Sequence, residues 1–480
     1  MRVFPSYTAS FRLNIDESSV HVADVIQKVS STGAAITGLD VAESDREDIS
    51  LDLTCLTRDS NHRREIAHLL EATPGVTVQA ILDTTFLEHI GGKIEVTPKA
   101  PIKNRADLSR VYTPGVARVC TSIHDNPEKS FSLTIRANTV AIVTDGTAVL
   151  GLGDIGPEAA LPVMEGKAVL FKQFGGVNAW PIVLDTKDTE EIIRTVKLIA
   201  PGFGGINLED ISAPRCFEIE QRLRDELDIP VFHDDQHGTA VVVLAALINA
   251  LKLVNKKIED VRIVVSGVGA AGTAIIKLLL AQGARDIVGY GRNGALAADQ
   301  TDNMNSARKE LAQITNPRLV HGDLRSGLAG ADVFIGVSQG GILGGDDIAT
   351  MADNAIVFAL ANPTPEVDPI EASQHAAIIA TGRSDFPNQI NNVLVFPSLF
   401  RGVLDSQVKT ITTELLQVAA QAIASVISDE ELSAHYIIPG VFDQRVTQAV
   451  QEAVKRAARD LPKRQIPAQE HTGQKAEQEA

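Results

Sequence analysis

Two pairs of adjacent carboxylates stand where a chain of this kind could do chemistry. Asp234 and Asp235 close the apolar run that opens residues 229–240, IPVFHDDQHGTA. Glu209 and Asp210 end residues 202–210, GFGGINLED. Acidic pairs are mostly solvated surface charge. Asp234-Asp235 ends an apolar, strand-like run and Glu209-Asp210 follows a glycine-rich apolar one, and sites collect at strand ends in open α/β sheets. Oxygen ligands suit a hard divalent cation, which makes Glu209, Asp210 and Asp235 candidate metal ligands. His233 and His237 have the spacing of a helical zinc motif. The segment leaves a strand and lacks the glutamate of that motif, so hydrogen-bonding roles are expected for both.

A second constellation lies downstream. Residues 267–272, GVGAAG, place Gly267, Gly269 and Gly272 in a G-x-G-x-x-G frame, with Ala270 and Ala271 between. The frame follows the strand-like IVVS and opens a helix, AIIKLLLAQG, the setting of a dinucleotide pyrophosphate turn. Helix N–H groups and the helix dipole then face the phosphates. The acidic residue expected about twenty positions on, at the end of the next strand, is Gly291, with Arg292 beside it. That pair admits the 2′-phosphate of NADP as well as NAD, and a solvated turn is the alternative role for Arg292. Lys167 follows a glycine in VMEGKAVLFK, and Tyr112 precedes a Thr-Pro-Gly turn. A lysine is usually a surface charge, but beside a cation its pKa falls and it can act as a base. A phenol can donate a proton within a site.

The elements that must position these residues fall into three domains and a tail. Residues 1–88 alternate as β-α-β-β-α-β, a ferredoxin-like α+β pattern that resembles an ACT domain, a small-molecule sensor. A packing or dimerisation module is the other reading of it. Residues 89–238 form an α/β domain for substrate and metal. Residues 239–462, beginning with the helix TAVVVLAALINALKLV, alternate strand and helix as a Rossmann-type doubly wound parallel sheet. Residues 463–480 are polar and expected to be disordered. The fold class is therefore α/β with an N-terminal α+β domain.

The 480 residues carry a net charge of −17 and three scattered cysteines. That charge opposes binding to nucleic acid or an anionic membrane. The cysteine spacing fits no disulfide or zinc framework and points to a reducing, cytoplasmic setting. The N-terminus has no secretory pattern. No run reaches the roughly 18 apolar residues of a membrane span.

Taken together, the motifs resemble those of the malic enzymes. YTPGVA at 112, TDGTAVLGLGDIGP at 144, EGKAVLFK at 165, LED at 208, FHDDQHGTA at 232, GVGAAG at 267, NPTPE at 362 and NQINNVLVFP at 388 occur in the family's order. The resemblance covers roughly residues 90–460 of the chain. It implies oxidative decarboxylation of L-malate to pyruvate with NAD or NADP and Mn²⁺ or Mg²⁺. Lys167 matches the general base and Tyr112 the general acid. Glu209, Asp210 and Asp235 match the metal ligands. Asn362 and Asn392 match asparagines lining the nicotinamide and substrate pocket. A homo-oligomer is expected, with an effector at the N-terminal domain. The chain departs from the pattern in three places. Thr147-Ala148 stand where larger relatives carry a malate-binding arginine, leaving Arg136 as the candidate for the distal carboxylate. Ser338-Gln339-Gly340-Gly341 replace the S-x-P-G turn, and Gly291 replaces the acidic residue. Two rival readings are a metal-independent amino-acid dehydrogenase and a non-catalytic ACT-type sensor.

Overall fold

The computed structural model describes residues 4–44, 48–149, 151–302 and 304–464. The expected tail, from residue 465 on, lies outside the described residues. Lys463 and Arg464, assigned to that tail, are folded: Lys463 pairs with Val408, and Arg464 is buried with its guanidinium 3.3 Å from the Phe131 ring centre.

Two compact units divide the chain, Met1–Thr97 and Pro98–Ala480. In the first, strands β1 (Phe4–Asp16), β2 (Ala35–Ser44), β3 (Asp48–Thr57) and β4 (Val76–Asp83) form an antiparallel sheet in the order β2-β3-β1-β4. Helices α1 (Val22–Ser31) and α2 (Ser60–Glu71) complete the β-α-β-β-α-β order. Phe11, Leu13, Ile15, Leu51 and Leu53 meet Val25, Val29, Ile66 and Leu70 in one core. Alternate strand residues supply it, as a sheet covered on one face requires. Beyond the expected order, β4 is followed by a short helix, Thr84–His89, because the Asp83 carboxylate caps its free N–H groups.

The second unit contains two parallel sheets. In the first, β5 (Thr139–Thr144), β6 (Asn178–Val183), β7 (Gly205–Leu208) and β8 (Val231–His233) run in the order β6-β5-β7-β8. Strand β7, within the stretch read only as glycine-rich and apolar, is too short to show a period in sequence. The second sheet contains β9 (Arg262–Ser266), β10 (Asp286–Gly291), β11 (Gly294–Ala295), β12 (Val333–Gly336), β13 (Ile356–Ala359) and β14 (Ile378–Thr381), in the order β11-β10-β9-β12-β13-β14. All its pairs are parallel except the β10–β11 hairpin. Strand order reverses at β5 in one sheet and at β9 in the other. Each reversal opens a crevice at the C-terminal strand ends, where α/β proteins bind ligands.

Helix α3 (Asp234–Leu253) joins the sheets. It begins five residues before the expected start at 239, so the boundary drawn at 238/239 cuts a continuous helix. Asp234 and Asp235 thus lie in its first turn, where the helix dipole favours negative charge. By length and composition α3 could cross a membrane, contrary to the reading that no run is so apolar; its most apolar window is 72% buried inside the fold. Val241 to Leu247 pack with Val140, Ile142, Phe171, Ile263 and Val265 into one core spanning both sheets.

Candidate functional site

The C-terminal ends of β5, β7 and β8 bring the carboxylates together. Glu209 leaves β7 with its N–H on Val143 O, 2.9 Å away. Asp210 follows with φ +53, a left-handed backbone that aspartate tolerates better than most residues. Its amide donates to Asp235 Oδ2 at 2.8 Å, and its carbonyl accepts from Ala148 N at 2.9 Å. One ligand oxygen each from Glu209, Asp210 and Asp235 lie within 4.8 Å of one another. Asp210 Oδ2 is buried with no hydrogen-bond partner. Burial, then the charges of Asp235 and Glu209, push the Asp210 carboxyl up to about 9. Burial likewise raises Asp235, and raises Glu209 to about 7 against the pull of Lys167. Three crowded, buried carboxylates, one with an unpartnered oxygen, fit a divalent cation, which would add positive charge to that of Lys167.

Lys167 enters from the helix Pro157–Gly175 and is 7% exposed. Its ammonium pairs with Glu209 and, at 2.6 Å, with Asp234 Oδ2. It lies 4.5 Å from the Phe396 ring centre, and Phe396 packs on Phe171, one helical turn beyond the lysine. Burial works to lower the Lys167 pKa, but Asp234, Glu209 and Asp235 outweigh it and hold the ammonium above its ordinary value. Without a cation the lysine is therefore an acid's partner rather than a base. A cation sharing the carboxylates would weaken that hold.

Asp234 is the functional residue that sequence reasoning left aside in favour of its neighbour. It is fully buried, accepts from both Lys167 and Asn392, and burial raises its carboxyl to about 7. A Cβ at Gly238 would meet Asp234 Oδ1 at 2.0 Å, so the glycine of DDQHG exists to seat this carboxylate. Asn207, also unforeseen, donates to Glu209 Oε2 at 2.9 Å. Arg215 ties the loops together, bonding Asp145 at 2.8 Å and Thr147 at 3.1 Å. Nothing in its sequence surroundings marked it. His237 hydrogen-bonds Glu220 at 3.0 Å, as expected. His233 differs from expectation: both ring nitrogens lack hydrogen-bond partners, and burial pulls its pKa down to about 4.

Two sequence-stated candidates are not brought to this cluster. Arg136 precedes β5, at the opposite end of the sheet, and bonds Phe203 O and Ser130 Oγ. Six residues of strand put it on the order of 20 Å from the carboxylates, too far for a shared substrate. Tyr112 caps the helix Arg105–Val111, is 70% exposed, and makes no hydrogen bond to Lys167 or the carboxylates.

At the second crevice, Gly267 has φ +99, and Gly269 caps the helix Ala270–Ala281, which carries Ala270, Ala271 and Gly272 in its first turn. Gly291 ends β10 and Arg292 is exposed in the hairpin turn. Asn362 follows β13, and its carbonyl would lie 2.9 Å from a Cβ at Gly151 of the other crevice's loops. Asn392 reaches the first crevice through Asp234. Loops of the two crevices therefore meet.

Fold and site together define an oxidoreductase class with a dinucleotide-type crevice beside a buried carboxylate cluster. Residues 91–224 match the malic enzyme N-terminal domain and residues 236–459 the malic enzyme NAD binding domain. The chain is 57% identical to an NAD-dependent malic enzyme of Geobacillus stearothermophilus, over 94% of each chain. It is 54% identical to a bifunctional malic/malolactic enzyme of Bacillus subtilis, over 76% of this chain and 90% of that one. The crystal structure of an NAD-dependent malic enzyme from Thermotoga maritima superposes with a TM-score of 0.75 at 50% identity, covering 78% of this chain and 99% of that one. The chain belongs to the malic enzyme family. This sets aside both rival readings, the amino-acid dehydrogenase and the non-catalytic sensor.

Proposed function

We propose that this chain couples oxidation of L-malate to its decarboxylation, with Lys167 taking the alcohol proton and Tyr112 returning a proton to carbon. The observation that carries this reading is the buried Lys167, ion-paired to Glu209 and Asp234 beside a three-carboxylate nest. Glu209, Asp210 and Asp235 would hold a divalent cation such as Mn²⁺ or Mg²⁺, which would supply Lewis-acid stabilisation to the oxygens of the substrate. Its positive charge would also favour a dianion in a protein of net charge −17. A bound NAD(P)⁺ would serve as hydride acceptor, and Asn362 and Asn392 are the residues we assign to line its nicotinamide. Loss of carbon dioxide leaves an enol, and protonation at its carbon gives pyruvate. Asp234 orients Lys167 throughout.

Tyr112 serves as acid when a second copy covers it. No residue of the helices Arg105–Val111 and Val116–Asp125 is buried, and Ile102, Leu108, Val111 and Tyr112 expose apolar surface there. A homo-oligomer is the occupant we assign to that face. The first unit's strand order supports an ACT-like role, taking a small-molecule effector. The free cysteines Cys55, Cys120 and Cys216 support a reducing cytoplasmic setting.

Cofactor choice rests on Gly291. A Cβ there meets only Val268 Cγ2, at 3.4 Å, so a side chain can be accommodated. With no carboxylate to repel a 2′-phosphate, NADP⁺ is used beside NAD⁺. The test is malate oxidation with Mn²⁺, run separately with each cofactor, in the wild type and in Gly291→Asp. Activity abolished by EDTA and restored by Mn²⁺, and a shift toward NAD⁺ in the variant, are expected. Full turnover by metal-free enzyme would overturn the metal assignment. Absence of NADP⁺ turnover in the wild type would overturn the cofactor assignment.

A further inference from the structure

Strands β12 and β13 end in loops on the dinucleotide crevice, and one buried side chain joins them. Glu366 has no exposed surface. Its carboxylate accepts from Ser338 N at 2.8 Å, Ser338 Oγ at 3.3 Å and Ala361 N at 3.0 Å. Ser338 Oγ lies 2.9 Å from Ser266 Oγ, the residue just before the glycine turn. The loop after β12 also presses on the turn itself: a Cβ at Gly267 would meet Val337 O at 2.5 Å and Ser338 Cβ at 3.1 Å. The loop after β13 leads directly into Asn362. Strand β12 ends in glycine to leave room for the acid, since a Cβ at Gly336 would meet Glu366 Cδ at 2.4 Å.

A buried carboxylate is costly unless its environment satisfies it. Here two backbone amides and a hydroxyl do so, and among the described residues no lysine, arginine or histidine is ion-paired with it. The amides come from loops that follow different strands. Their spacing is thus set by a single carboxylate, between the loop that rests on the pyrophosphate turn and the loop that leads to Asn362. An apolar side chain of the same volume would fill the space but leave both amides unsatisfied.

We propose that Glu366 is a positioning residue for the dinucleotide, fixing the loop that rests on the glycine turn relative to the loop that carries Asn362. It touches neither substrate nor metal. The proposal rests on the reading that this crevice holds NAD(P). The experiment compares the full-length wild type with Glu366→Gln by NADH fluorescence titration, Mn²⁺ titration and steady-state kinetics. The glutamine keeps the volume but turns a donor toward one of the N–H groups. NADH Kd and the KM for NAD(P)⁺ should each rise about tenfold, roughly one charge-assisted hydrogen bond. Mn²⁺ affinity should stay within about twofold, because its ligands lie in the other crevice. Ser338→Ala removes one donor and leaves the acid in place, so it tests the same link if the glutamine variant does not fold. A smaller loss of NADH affinity, with Mn²⁺ binding intact, is expected there. Unchanged NADH affinity in the folded variants would overturn the proposal, as would parallel losses of NADH and Mn²⁺ affinity. A wild type that binds no NADH would overturn the crevice's reading and the proposal with it.

Discussion

The second unit uses one topological device twice and fills it with opposite chemistry. At the β5 reversal the crevice is lined by charge: four buried or half-buried carboxylates surround one lysine. At the β9 reversal it is lined by backbone rather than charge: Gly267 turns the chain with φ +99, Gly269 is exposed at the start of the helix, and Gly272 is buried against Gly267 O. The first site is held in an unfavourable state, its acids dehydrated and pushed toward protonation. The second depends on close backbone approach rather than on ionised side chains. The comparison teaches that a shared strand order selects only the place of a site. Side-chain charge or its lack then decides whether the ligand is a cation or a phosphate.

The charged crevice should be the more sensitive to a single truncation. Lys167→Ala is expected to lower malate oxidation roughly 10²–10⁴-fold, the range for general acid–base catalysis. Decarboxylation of supplied oxaloacetate should be retained in part, since it requires no alcohol deprotonation. Steady-state rates for the two half-reactions check this, and near-normal oxidation would remove Lys167 from the base role.

In the glycine crevice two apparently equivalent substitutions should separate. A Cβ at Gly272 would meet Gly267 O at 1.7 Å, whereas a Cβ at Gly269 meets nothing within 4 Å. Gly272→Ala is therefore expected to lower the melting temperature. Gly269→Ala should leave it near the wild-type value and weaken NADH binding by about tenfold or more, because its methyl enters the pyrophosphate's approach. Thermal melts and NADH titrations would test the distinction. Equal melting-temperature losses in both variants would show that the ligand does not set the second glycine.

The smallest effect expected is a pH dependence confined to the charged crevice. Glu209, Asp210 and Asp234 have folded pKa values raised to about 7, 9 and 7. Each binds its proton more tightly folded than unfolded, so its contribution is present at low pH and lost as pH rises toward those values. Metal-free protein should lose stability between about pH 4 and 9 from this cluster, given ordinary carboxyl values near 4. Mn²⁺ competes with those protons, so its stabilisation should be greater at pH 8 than at pH 6. Melts of wild type and Asp210→Asn, with and without Mn²⁺, check the slope. An Mn²⁺ effect independent of pH would contradict the raised acidities.

Much of the site was legible because its chemistry needs particular residue types at strand ends. Glu209, Asp210, Asp235 and the glycine frame sit in short motifs, each beside an apolar run. The ferredoxin-like order of the first unit was legible because its strands are long enough to show alternation. Strand β7, with only four residues, was not. The start of α3 was misplaced because Asp234 and Asp235 look like the close of a strand, and only the helix dipole and the Lys167 pairing show why they begin a helix.

What the sequence by itself determined is the inventory: a carboxylate nest, a lysine, a pyrophosphate turn and the order in which they occur. Local spacing suffices for these, since each motif lies on one element and its neighbouring loop. Only the tertiary structure decided which of two adjacent aspartates holds the lysine, that Arg136 stands at the far end of β5, and that Tyr112 is exposed in a single copy. It alone placed Glu366 between two loops and Arg215 against Asp145. Those contacts join residues far apart along the chain, and a change of strand order would alter them all while leaving every local motif intact.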